Sequence, residues 1–224
     1  MGIDYNSIIT TDGLVGYWDA ANPRSYSGSG NTWYDLTRNG NNLTLTNSPT
    51  FNSSGYFSTG STGYFTGAGT SSIPTGNNNY SMFLFARLSS WTDGRGFMSI
   101  GDFLVTNQSN AFRAYSSTLG ILIHYWWGND LISSNNNGNI QNNQWFYAGV
   151  SFDGTTRKIY ANNVLVASDT PTSHNVTTTT IQLAKTVTTE YLQGDISLAK
   201  IYNRALTPTE ILQNYNATKR RYGL

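Results

Sequence analysis

The chain has no cysteine, and only 11% of its 224 residues are charged. Without thiols there is no disulfide framework, thiolate nucleophile or cysteine metal ligand, so a buried apolar core must supply the stability. Glutamate occurs twice, at Glu190 and Glu210, and histidine twice, at His124 and His174. Glycoside hydrolysis uses two carboxylic acids flanking the scissile bond. No two acids alternate along a strand here, and Glu210 has the spacing of a helix cap. A Ser-His-Asp arrangement would need His124, inside the strand-like run Ile121-Leu-Ile-His-Tyr-Trp126, or His174, in a Thr/Ser loop where solvent is its expected partner. No Gly-x-Ser-x-Gly elbow occurs. No catalytic residue is assigned, and an enzyme is not expected.

Long hydrophobic runs are missing too. None approaches the ~18 residues that span a bilayer, and the start, Met1-Gly-Ile-Asp-Tyr-Asn6, lacks the basic and apolar regions of a secretory signal. A net charge of +1 provides no global attraction to nucleic acid. The expectation is a protein made in a reducing cytosol, with neither nucleic acid nor membrane as partner.

What is present is strand and turn chemistry. Aromatics make up 14% of the chain, there are 22 glycines, and long stretches are Asn, Ser and Thr. β-Branched and aromatic residues favour strands, while Gly and Asn tolerate the positive φ of tight turns. Tyr80-Ser-Met-Phe-Leu-Phe-Ala-Arg-Leu88 is nearly apolar on both faces, as a strand buried between two sheets would be. Phe97–Ile100, Phe103–Thr106, Ala111–Tyr115 and Leu119–Trp127 read as a meander, and Ser133–Asn143 as a loop too polar to pack. Trp145–Phe152, an Asp153-Gly154 turn, Thr156–Tyr160, Asn162-Asn163 and Val164–Ala167 read as two successive hairpins. One helix is expected near the end. Thr207 is its N-cap, Pro208 its first residue and Glu210 the closing acid of a capping box, with Leu206 and Ile211 as a hydrophobic staple. Together these imply one domain of roughly a dozen strands in two antiparallel sheets, residues 13–224, behind a polar lead-in of residues 1–12. The spaced turn signals also fit an up-and-down barrel, but the lone C-terminal helix and the long early loops favour the sandwich.

Three blocks carry a resemblance. Gly13-Leu-Val-Gly-Tyr-Trp-Asp-Ala20 with Thr32-Trp-Tyr-Asp-Leu-Thr-Arg-Asn-Gly-Asn-Asn42 is similar to the opening of the laminin-G-like, concanavalin A-like jelly-roll family. Trp145–Val166 resembles its central hairpin pair, with Asn162-Asn163 where Asn-Gly is usual. Gly194-Asp-Ile through Ile201-Tyr-Asn-Arg-Ala-Leu206 and Glu210-Ile211 resembles its closing strand and helix. The resemblance implies an all-β jelly-roll sandwich. Domains of this kind occur in secreted enzymes as accessory modules, in adhesins and in viral tail, fibre and capsid-associated proteins. Composition and the closing Asn216–Leu224 look most like phage structural proteins. The function it implies is a non-enzymatic virion part, either capsid decoration or a short fibre, with virion proteins as partners. Contact with host-surface glycans and homo-oligomeric display are compatible with it. The alternative is a free carbohydrate-binding module or lectin with a structural calcium.

Candidate sites follow from side-chain chemistry. Sugar C–H faces stack on aromatic rings, and hydroxyls need planar donors and acceptors. Tyr125, Trp126, Trp127 and Asn129 offer both at a strand end, with Trp126 and Trp127 on opposite faces, and Trp91 is a second candidate. Asp35, Asn39 and Asn41 are the best set of hard oxygen ligands for Ca²⁺, against which stands a self-bonded Asx-turn. Lys219, Arg220 and Arg221 form a basic run that reads as a solvated helix end or, more sharply, as a docking tail for assembly. The lead-in and this tail are expected to project beyond the sandwich.

Overall fold

Short apolar runs between Asn/Gly turns produce sixteen strands among the described residues of this computed structural model, which are 8–102, 104–172, 174–186 and 189–224. In chain order they begin with β1 (Leu14–Asp19), β2 (Thr32–Trp33), β3 (Leu43–Thr46), β4 (Thr50–Asn52), β5 (Tyr56–Ser58) and β6 (Tyr64–Ala68). The middle holds β7 (Tyr80–Arg87), β8 (Gly96–Gly101), β9 (Ser109–Ala114), β10 (Leu122–Tyr125) and β11 (Leu131–Ile132). Then come β12 (Trp145–Phe152), β13 (Arg157–Ala161), β14 (Val164–Asp169), β15 (Thr180–Leu183) and β16 (Asp195–Tyr202), followed by helix α1 (Pro208–Thr218).

Two antiparallel sheets form a sandwich. The first has the order β14-β13-β12-β7-β16-β5-β4, with β1 also paired to β16; the second has the order β11-β10-β9-β8-β15-β6-β3-β2. The excess over a dozen strands comes from pieces of two or three residues such as β2, β4 and β11. The strand expected at 103–106 is not one. Residue 103 lies outside the described residues, while 104–108 turn, with Leu104 and Asn107 at positive φ. The Asn162-Asn163 turn has both residues at positive φ, 45° and 68°, as a two-residue hairpin matching the strand twist requires. The Asn-rich 133–143 loop does pack: Asn136 brackets Ile140 with two hydrogen bonds and the Ile140 side chain enters the core.

Met82, Leu84 and Ala86 of β7 point inward and meet Phe146, Ala148 and Val150 of β12, together with Phe97, Phe112 and Ile181 from the second sheet. The other side of β7 is buried as well, for a reason different from the expected one. Phe83 and Phe85 point outward and lie with Tyr147, Leu198, Tyr202, Leu206 and Ile211 beneath the C-terminal helix. Burying each such large apolar side chain contributes about 1.5–3 kcal/mol. The helix begins as the sequence indicates. The Thr207 side chain accepts from Glu210 N, Glu210 accepts from Thr207 N, Pro208 opens the first turn, and Leu206 and Ile211 share one cluster. Hydrogen bonds from Arg204 hold the Glu210 carboxyl down at about 2.

Residues near both ends of the described chain are tied to this layer. Thr10 N donates to Asn214 Oδ1 at 2.9 Å, the Tyr202 hydroxyl donates to Thr10 O, and Arg204 Nε pairs with Asp12 at 2.8 Å. The part of the lead-in from Thr10 onward is therefore docked; residues 1–7 lie outside the described residues. The basic tail does not project. Residues Lys219–Tyr222 form a 3₁₀ turn, Tyr222 stacks on Phe85, Lys219 sits over the Tyr215 ring, and Arg221 pairs with buried Asp19 at 2.6 Å. The apolar outer face of the first sheet needs a cover, and the tail supplies part of it.

Candidate functional site

With helix α1 and the tail over the first sheet, the outer face of the second sheet has no helix over it among the described residues. A small cluster of Ala111, Ile123 and Tyr125 lies there, with Tyr115 and Trp127 packed against it. Strand alternation explains the arrangement: Ile123 and Tyr125 stand opposite Arg113 and Ala111 across the β9–β10 pair, all four on one face. Trp126, one residue on, points into the core. Trp127 returns to the outer face with φ +63° and is followed by Gly128 at +125°. Left-handed backbone at a bulky residue costs on the order of 1–3 kcal/mol and persists where surrounding structure imposes it. Here the imposing structure lies underneath: Arg157 Nη1 donates to Asn129 O at 2.8 Å, and Asn129 Nδ2 donates to Asn107 Oδ1.

The result is a cavity of about 510 Å³ lined by Tyr125, Trp127, Thr106, Arg113, Asp130 and Glu190, among others. The Tyr125 and Trp127 ring centroids are 6.0 Å apart. Arg113 forms the floor, its guanidinium 5.6 Å from the centroids of both Tyr115 and Tyr125. It is ion-paired to Asp93 at 2.6 Å and to Glu190 at 3.1 Å. Glu190 also accepts the Tyr125 hydroxyl at 2.9 Å and the Thr186 hydroxyl at 2.6 Å. Burial, and then the Glu190 charge, push the Tyr125 phenol well above its ordinary value, so it remains a hydrogen-bond donor. The Asp130 carboxylate is exposed and has no hydrogen-bond or ionic partner among the described residues.

Of the aromatic candidates, Tyr125 and Trp127 line this cavity; two others do not. Trp91 is buried against Phe97 and Phe146, its backbone N–H bonded to Asn142. Trp126 is fully buried, donating to the Tyr80 hydroxyl at 3.1 Å and lying between the Arg157 guanidinium and the His174 ring, which stacks on it at 3.9 Å. Both rings belong to the main buried core. Asn129 anchors the loop rather than facing the cavity. His174, expected in solvent, is 2% exposed, and burial lowers its pKa to about 4. His124 is buried in its strand as expected, bonded to Asn110 at 2.6 Å. Arg113 and Glu190 were not legible as site residues, because loop closure brings Glu190 to strands more than 60 positions away.

The Asp35 cluster does not fit calcium. Asp35 accepts from Tyr17 N, Thr37 N, Thr37 Oγ1 and Asn41 N at 2.6–3.0 Å, so both carboxylate oxygens face N–H and O–H donors. Asn41 is fully buried, its amide donating to Val15 O and Ser72 Oγ and accepting from Thr70 N. Asn39 donates to Val15 O and Thr37 Oγ1. This is a self-bonded turn pinning the first strand. Among the described residues no group of three His, Cys, Asp or Glu side chains could hold a metal ion.

Residues 58–212 match the concanavalin A-like lectin/glucanases superfamily, well over half of the chain. The chain belongs to that superfamily. No curated protein matches it in sequence. Among solved structures it is similar to the binding domain of Paraclostridial mosquitocidal protein 1, at 15% identity and TM-score 0.61, over 92% of this chain and 52% of that one. It is similar to Trypanosoma rangeli sialidase in complex with sialic acid, at 11% identity and TM-score 0.67, over 95% and 34%. Domain 4 of AbnA, a GH43 extracellular arabinanase from Geobacillus stearothermophilus solved with arabinotriose, matches at 16% identity and TM-score 0.52, over 91% and 98%. The chain thus spans about half or less of the first two and nearly all of the third. At these identities the superfamily likeness is one of fold.

Proposed function

We propose that this superfamily member is a non-enzymatic glycan-binding domain and that the Tyr125–Trp127 cavity is its site. The observation that carries the reading is a Tyr–Trp pair beside an unpartnered carboxylate, on a sheet face that has no helical cover among the described residues. Sugar rings present an apolar C–H face for stacking and a rim of hydroxyls, and this cavity has a surface for each. Binding rather than hydrolysis is supported by Glu190, whose oxygens are already engaged by Arg113, Tyr125 and Thr186, and by Glu210, which is part of the helix cap. The arabinanase domain, similar over nearly its whole length, is described in complex with arabinotriose.

The larger setting we propose is a phage virion, as capsid decoration or short fibre. Support comes from the Asn/Thr/Gly-rich composition and the resemblance to phage structural proteins; mass spectrometry of purified particles tests it. The site itself is tested by screening the full chain on a glycan array and then measuring Trp127→Ala by calorimetry. Loss of the stacking ring should weaken binding at least tenfold, about 1.4 kcal/mol, with little change in melting temperature. An array without a single hit, or a hit indifferent to Trp127→Ala, removes this reading.

A further inference from the structure

The glycan reading fixes a class of ligand but not its charge, and the cavity carries information on charge. Arg113 is the sole basic side chain among the described residues that line it, and its positive charge is already matched by two carboxylates, Asp93 at 2.6 Å and Glu190 at 3.1 Å. Its Nη1 is engaged a second time by Ala114 O at 2.8 Å, and its plane is flanked by the Tyr115 and Tyr125 rings. A bound acidic sugar would therefore meet no net positive charge at this guanidinium, because two carboxylates already offset it. Lys185 is drawn over the Tyr64 ring at 4.2 Å and the Tyr191 ring at 5.2 Å. The charge left over is negative: Asp130, exposed at the rim and without a partner.

Resting on the glycan reading, we infer that the site selects neutral oligosaccharides and rejects those with a carboxylate, such as sialylated or uronic-acid glycans. An ionised carboxylate accepts hydrogen bonds and cannot donate them, so Asp130 suits a pair of sugar hydroxyls, which donate. A sugar carboxylate in the same place meets a like charge with no cation to offset it, and like-charge juxtaposition is how binding sites turn away wrong partners.

The test uses the full chain and matched probes: arabinotriose, cellotriose and lactose against 3′-sialyllactose and trigalacturonic acid, by calorimetry at low salt. At least one neutral probe should bind, with the acidic probes at least tenfold weaker. Asp130→Asn, which keeps the shape and removes the charge, should narrow that gap severalfold. Acidic probes binding as tightly as neutral ones, or a gap unmoved by Asp130→Asn, overturns the inference and leaves the glycan site standing. Failure of every probe, together with an array without a hit, removes the site and the inference with it.

Discussion

The ring of Tyr222 stacks on that of Phe85, with centroids 4.2 Å apart and planes inclined by 20°. A residue third from the C-terminus thus rests on the middle strand of the first sheet. The contact makes the basic tail part of the fold. Among the described residues, the outer face of the second sheet has no such helical cover.

Removing that cover should be destabilising. Tyr222→Ala is expected to lose about 2–3 kcal/mol, somewhat below a fully buried aromatic because the residue is half-buried. Arg221→Ala should lose about 1–3 kcal/mol, since it strands the buried Asp19 carboxylate while its own guanidinium side chain is 38% exposed. Truncation at Thr218 should exceed either. Urea unfolding measures all three, and a truncated chain as stable as the full one would show that the tail merely lies on the surface.

Stability should rise with pH above neutrality, because of Lys200. Its ammonium is fully buried with no hydrogen-bond partner, facing the Tyr17 ring, Asp19 and Arg221. Burial lowers its pKa from 10.5 to about 7. Between those values the unfolded chain binds the extra proton, so unfolding free energy climbs with pH, by up to roughly 1.4 kcal/mol per unit. Near pH 10 the trend reverses: Tyr17, Tyr125 and Tyr202 have raised pKa values and stay neutral when folded, while the unfolded chain ionises. Lys200→Met should be more stable than the parent at pH 7 and nearly flat from pH 7 to 9.5. A parent whose urea midpoint is constant over that range would contradict the buried-amine account.

The Asp35 turn should matter for stability without regard to metal. Asp35→Ala leaves three backbone N–H groups and one hydroxyl without their acceptor, for a loss of about 2–4 kcal/mol. That loss should be identical in chelator and in millimolar calcium, and the parent's melting temperature should not respond to either. A midpoint that falls with chelator and recovers with calcium would mean that the ion binds after all.

Much of the fold is written in local pattern. Thr207, Pro208 and Glu210 specify a helix start by hydrogen bonding within one turn, and Asn162-Asn163 specifies a hairpin by φ alone; neither needs a distant partner. The strand runs 43–46, 56–58, 145–152 and 164–167 are equally local, because alternation and turn residues lie within a few positions of each other. The closing motif from Gly194 to Ile211 likewise carried the superfamily. What only the tertiary structure decided is which side of each aromatic meets solvent. Trp91, Trp126 and Trp127 look alike in sequence. Trp91 is buried by Phe97 and Phe146, and Trp126 by Arg157 and His174, while the outer sheet face leaves Trp127 half open. Charge pairing is decided the same way. Arg113 and Glu190, or Arg221 and Asp19, are 77 and 202 positions apart, and no local rule links residues that only sheet packing brings within 3 Å or so of each other.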